Sequence, residues 1–169
     1  MYFSIINQFK KSLTQLDTMV ASSLEHATKK PFDPAILVNA RLAPDQFPLG
    51  RQVQIACDTA KLGAARLAGK EAPKKDDTET TLDELRARIK WTIDYLDTLK
   101  ASDFEKAATQ TITQPRWEGK TMTGADYLLE HVIPNFYFHM SHAYAILRHN
   151  GVNVGKRDYL GPLTQTLPA

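Results

Sequence analysis

The stretch YFSIINQFKKSLTQLDTMVASSLEHA, residues 2–27, decides the fold class. Ile6, Phe9, Leu13, Leu16, Val20 and Leu24 recur at spacings of three and four, so a helix gathers them on one stripe. Lys10, Lys11, Thr14, Gln15 and Asp17 lie between them and form the wet face. The spacing predicts a first helix from about Tyr2 to Ala27. Pro31 closes the segment, and Asp33-Pro34 reads as an N-cap with proline at the first helical position, opening a short turn of helix through Val38.

The same periodicity continues outward. Arg41 to Leu49 contains Pro44 and Pro48 and cannot be regular helix throughout. A second helix is expected from about Pro48 to Ala68, with Val53, Ile55, Ala56, Ala60 and Leu67 in the core, followed by a polar linker from Gly69 to Asp77. Thr81 with Glu84 forms a capping-box pattern and starts a third helix, whose stripe is Leu82, Leu85, Ile89, Ile93, Leu96 and Leu99. Ser102 with Glu105 repeats the signature for a short helix. Thr109 to Thr123 is Thr-rich, with Gln114 to Gly119 as turn material, and predicts a small β-hairpin. The fourth helix runs from about Thr123, its N-cap, to His149, with Gly151 as the stop and Pro134 bending it. The expectation is one domain over residues 1–169. Its fold class is all-α, an up-and-down four-helix bundle with a small β-hairpin or extended insertion before the last helix.

Composition narrows the function classes. Lys and Arg number 21 against 19 Asp and Glu, a net charge of +2, so no basic footprint for nucleic acid is expected. The one basic run, Lys70 to Lys75, carries Glu71 and is followed by Asp76 and Asp77, which suits a solvated loop. Cys57 is the single cysteine, so no internal disulfide forms and a reducing compartment is the simplest reading. The first residues lack the basic start and apolar run of a signal peptide, and no segment approaches the ~18 apolar residues of a membrane span. A cytoplasmic location without membrane attachment follows as the expectation.

The chemistry concentrates on the fourth helix. His131, Asn135, His139 and His142 fall within an arc of about 80° at a helical 100° per residue. Leu128, Val132, Ala143 and Ile146 surround them, which turns His139 toward the apolar side. Three readings stand side by side. In the first, His139 and His142, helped by Gln54 or Asn135, hold a divalent metal such as zinc, nickel or iron. In the second, Gln54, Asn135 and His139 form a polar set inside a small-ligand pocket walled by Phe47, Phe136 and Tyr144. In the third, the polar residues satisfy one another. The second ranks first, because the second helix offers Gln54, Cys57 and Asp58 but no histidine. Cys57 reads as a small core filler. Phe136, Tyr137, Phe138 and Tyr144 leave the fourth helix apolar all round, which predicts a homodimer through its outer face.

Asn39 to Leu49, then Gln52 to Ala56, Pro134 to His139, Ala143 to Gly151 and Lys156 to Gly161 together resemble the signature of a bacterial domain-of-unknown-function family. That family is similar to the DinB/YfiT-like superfamily of four-helix bundles. The resemblance implies that fold and a dimer. Many superfamily members bind a divalent metal through three histidines, and some are similar to thiol-dependent transferases and maleylpyruvate isomerases. Carried onto this chain, the pattern puts its second helix-four histidine on His139 and its first on Asn135. The position usually held by glutamine falls on His142, and the helix-two histidine near Gln54. One of three ligands is retained. The alternative function that the resemblance implies is therefore a metal-dependent enzyme with a degenerate histidine site.

Overall fold

The computed structural model describes residues 1–30 and 32–166; Pro31 lies outside the described residues, as do residues 167–169. Four long helices carry the architecture: α1 (Tyr2–Lys29), α3 (Leu49–Leu67), α4 (Leu82–Asp97) and α6 (Ile133–His149). Short helices α2 (Ala35–Asn39), α5 (Gly124–Asp126) and α7 (Lys156–Leu160) fill the connections. Two-residue strands β1 (Thr111–Ile112) and β2 (Met122–Thr123) form an antiparallel hairpin, with Thr111 opposite Thr123 and Ile112 opposite Met122. The helical bundle and the hairpin before its last helix are as the sequence pattern predicts.

The local signals act where they were read. In α1, Ile6, Phe9, Leu13, Leu16 and Val20 are fully buried. Asp33 accepts a hydrogen bond from the Ala35 amide at 2.9 Å, tying down the start of α2. Thr81 Oγ1 accepts from the Glu84 amide at 3.2 Å, and Glu84 returns the bond to the Thr81 amide at 3.0 Å. One capping reading needs correction. The segment after α4 forms 3₁₀ turns over Ala101–Phe104 and Ala107–Thr109, capped by Asp103 on the Lys100 amide at 2.9 Å rather than by Ser102 with Glu105. An acidic side chain two residues earlier, Asp103 in place of Glu105, reaches the free amide of Lys100.

Packing sets the helix order. α1 lies against α4 and α6, and α3 lies against the same two helices. Lys10 meets Asp97 and Asp17 meets Arg86, so α1 and α4 run antiparallel. Asn135 meets Thr59 and His139 meets Gln52, so α3 and α6 do likewise. α3 and α4 instead run in the same sense, so the helices follow an up-down-down-up order and not the up-and-down order expected from the sequence. Lys70 pairs with Asp103 beyond their C-terminal ends, while Gln54 meets Glu79 near their N-terminal ends. The linker between them, residues 68–81, therefore travels back along the whole length of α3. Against the turn that leads into α6, the close approach is permitted by Gly63: a Cβ there would sit 2.6 Å from Val132 Cγ1.

The returning linker is anchored by a charge that the apolar pattern of α4 conceals. Arg88 sits on the same stripe as Leu85, Ile89, Thr92 and Leu96, and it is fully buried. Its Nη1 donates to the Asp76 carbonyl and to both Glu79 oxygens, each at 3.1 Å. Its Nη2 lies 3.0 Å from Asp58 and 2.8 Å from Asp77. A planar fork with five donors suits this arrangement, where a single ammonium would not. Removing one member leaves buried charge uncompensated, which costs about 3–5 kcal/mol. Arg88→Ala is therefore expected to lower unfolding stability by about 3–5 kcal/mol, read from urea midpoints at neutral pH, and Arg88→Lys to recover only part of it.

Candidate ligand site

One face of α3 carries Arg51, Ile55, Asp58, Thr59, Leu62 and Arg66, at the three- and four-residue spacings that place them on a single stripe. The stripe borders a cavity of about 340 Å³. Its opposite wall is Tyr127, His131 and Asn135, and the turn between the hairpin strands closes it with Gln114, Pro115 and Arg116.

The opposite wall owes its shape to Pro134. Tyr127–Val132 forms a π-helical turn in which the Ile133 amide reaches back five residues to the Leu128 carbonyl. Proline has no amide to donate and crowds the preceding turn, so the widened ladder just before it absorbs the misfit. Tyr127 and His131 stand on this turn with rings stacked, centroids 5.4 Å apart. Trp117, from the hairpin turn, meets both rings edge-on at 5.9 and 6.1 Å.

The polar contacts around the cavity form two groups. Asn135 Nδ2 donates to Thr59 Oγ1 at 2.7 Å, Arg66 Nη1 to Tyr127 Oη at 2.8 Å, and Arg116 Nη2 to His131 Nε2 at 2.6 Å. Since guanidinium only donates, His131 Nε2 must be the unprotonated nitrogen, and its proton sits on Nδ1. Burial, then Arg116 and Arg66, lower the His131 pKa and favour this neutral ring. Asp58 is already engaged, by Arg88 and by Lys61 at 2.9 Å. Arg51 pairs with Asp77.

His139 lies elsewhere, one turn beyond Asn135 and buried at the α3–α6 contact. The glutamine facing it is Gln52 rather than Gln54. Gln52 Nε2 donates to the Phe47 carbonyl at 3.0 Å, which turns its Oε1 toward His139 Nδ1 at 2.7 Å, so the imidazole is the donor. Residues 52, 59 and 63 share the face of α3 that meets α6. Gln54, two positions along, faces the returning linker, accepting from Arg51 at 3.1 Å and donating to Glu79 at 3.0 Å. The Phe47 ring is exposed beside the Arg51 guanidinium, 6.0 Å from its centroid. Tyr144 packs against Tyr159 of α7, centroids 5.7 Å apart. Of the six residues expected to form a pocket, only Asn135 reaches the cavity, and Phe136 is fully buried in the core.

Each of the two imidazoles has one ring nitrogen engaged within the fold. His142 Nδ1 donates to the Phe138 carbonyl of its own helix at 2.7 Å, and His139 Nδ1 is held by Gln52. One free nitrogen on each falls short of the three or four donors that zinc takes. Among the described residues, no three His, Cys, Asp or Glu side chains group in a way that would hold a metal ion. Cys57 is buried in the core, and burial pushes its thiol up to about 12 against the smaller opposing effects of Thr92 and Arg88. A thiol so placed stays protonated at neutral pH and is a packing residue.

The residues that line the cavity were only partly legible. His131 and Asn135 belong to the helix-four arc. Arg66, Tyr127, Gln114 and Arg116 carry no linear motif, because they come from three segments that only the hairpin and the π turn bring together.

A bundle of four helices with a hairpin over one interhelical cleft defines the chain as a DinB-like helical protein. A solved chain from Shewanella denitrificans, described as a DinB family member protein, is 53% identical to it. The match covers 96% of this chain and 93% of that one, with a TM-score of 0.93. Residues 1–160 match the model of the domain of unknown function DUF1993, and the chain belongs to that family. No curated protein matches it. No helix among the described residues is long and apolar enough to cross a membrane.

His139 gives the site a signature in pH. Burial, with His142 and Arg51 adding to it, lowers its pKa from 6.5 to about 4. Between those values the unfolded chain binds the extra proton, so stability rises with pH across the window and is lost as pH falls toward 4. His139→Gln, which keeps a hydrogen-bonding side chain but cannot titrate, should remove up to about 2 kcal/mol of the destabilisation seen between pH 7 and pH 5. Chemical-denaturation curves of both proteins at the two pH values measure it.

Proposed function

We propose that this chain is a small-molecule-binding helical bundle, its ligand seated between α3 and the start of α6 beneath the hairpin turn, and that it acts as a homodimer. The observation that carries the reading is the cavity of about 340 Å³, where apolar walls from Ile55, Leu62, Pro115 and Tyr127 surround convergent polar groups. Ligand sites have this mixture, at volumes of about 300–1,000 Å³. The π turn supports the reading as well, since such turns cluster at functional positions. The Gln52–His139 pair serves the site indirectly by fixing the spacing of α3 and α6.

Leu62→Trp would fill the cavity from the α3 side, where the leucine is half-buried. The variant should fold, and should lose the rise in melting temperature that a ligand gives the parent protein, about 2.7 kcal/mol at a hundredfold excess over Kd. A panel of small metabolites and fragments in a thermal-shift assay provides the test. Compounds that stabilise the variant and the parent equally would refute this location.

The dimer reading rests on Leu129, 60% exposed, and Phe138, 53% exposed, both on the outer side of the last helical segment. A second copy of the chain is their proposed cover. Phe138→Glu is expected to shift the mass measured by light scattering from dimer to monomer with its circular dichroism unchanged. A parent protein that is monomeric at about micromolar concentration, where stable dimers persist, would end this part of the proposal.

A further inference from the structure

Four groups at the cavity carry donors that no carboxylate takes up, although Arg66 and Arg116 each give one bond to a neutral neighbour, Tyr127 and His131. Arg66 and Arg116 line it from opposite sides, and among the described residues neither pairs with a carboxylate. Gln114, 8% exposed, lines it as well, and its buried Nε2 has no hydrogen-bond partner. His131 is the fourth. With Nε2 committed to accepting from Arg116, its buried Nδ1 is a donor, and that atom too lacks a partner. The single carboxylate in the lining, Asp58, is taken by Arg88 and Lys61. An unmade bond at a buried polar atom is costly, so two orphan donors beside two unpaired guanidiniums describe a place built for acceptors.

We infer that the ligand of this cavity is a small organic anion, a carboxylate or a phosphate monoester. Its charged head would meet Arg66, Arg116, Gln114 and His131, and its apolar body would lie against Ile55, Leu62 and Tyr127. The inference rests on the pocket reading above and gives it a chemical class. Guanidinium forks match both carboxylate and phosphate oxygens, often two bonds at a time. The same arrangement repels cations and offers the donors of a neutral amide no free carboxylate, since the one in the lining is engaged. Burial first, and then Arg116 and Arg66, lower the His131 pKa, so both guanidinium charges act on this one ring.

Matched probes test it. Benzoate and benzamide share a ring and differ in charge; succinate and succinamide do so without a ring; phenyl phosphate and inorganic phosphate supply the other head group with and without a body. Titration calorimetry on the parent chain at low ionic strength should show the organic anions binding at least about tenfold tighter than their amides, and weakening with added salt. A preference between benzoate and phenyl phosphate identifies the head group. Binding should weaken by about tenfold or more in Arg116→Gln, whose exposed position leaves the fold intact, and be lost in Arg66→Gln/Arg116→Gln. Amides that bind as well as their acids, unaffected by either variant but blocked by Leu62→Trp, would overturn the anion assignment while leaving the pocket standing. Anions that bind equally to Leu62→Trp and to the double variant would place them elsewhere and overturn it. No binding by any probe would count against both.

Discussion

Everything in this bundle is arranged around one guanidinium with no access to water. Arg88 gathers Asp58 from α3, Asp77 and Glu79 from the linker, and the Asp76 carbonyl. Each of those groups would be expensive to bury by itself, and together they neutralise one another. The linker is thereby pinned along α3, and α4 is made to start beside the N-terminal end of α3 instead of folding back from its C-terminal end. That return path leaves α3 free to meet α6 along its other side. It also fixes the state of Asp58, the one carboxylate on the cavity wall, whose charge is spent inward on Arg88 and Lys61.

A second constraint works at the opposite wall. Pro134 cannot complete the helical ladder, and the chain takes up the mismatch as a π turn over Tyr127–Val132. The extra residue rotates Tyr127 and His131 relative to the rest of α6. An unbroken helix would hold His131, Asn135 and His139 together as a polar stripe. The turn instead divides that stripe: His131 and Asn135 open onto the cavity, and His139 closes against Gln52. The helix–helix contact and the cavity wall are thus separated by about one turn of helix.

The resemblance to metal-binding bundles looks different against these contacts. The position opposite His139 is held by an amide whose own nitrogen is committed to the Phe47 carbonyl. A hydrogen-bonded glutamine–histidine pair can hold two helices at a set distance without any ion. At the hairpin end of the cleft the cavity is lined by Arg66 and Arg116 as well as by His131.

How much of this was legible depends on distance along the chain. The four helices, the Thr81–Glu84 cap, the Thr123 cap and the hairpin follow from spacings of two to four residues, because turns and helical faces are governed by near neighbours. Asn135 and the burial of His139 came from the same arithmetic. The choice of Gln52 over Gln54 did not: two residues on a helix point to nearly opposite sides, and only the rotation of α3 about its axis decides which one meets α6. Helix order, the buried role of Arg88 and the placing of Arg66 and Arg116 on one cavity depend on contacts between segments remote in sequence. Local periodicity determined which residues would be helical and which faces dry; the net balance of buried charge and the fit of side chains across helices decided how those faces were paired, and with that where the cavity lies.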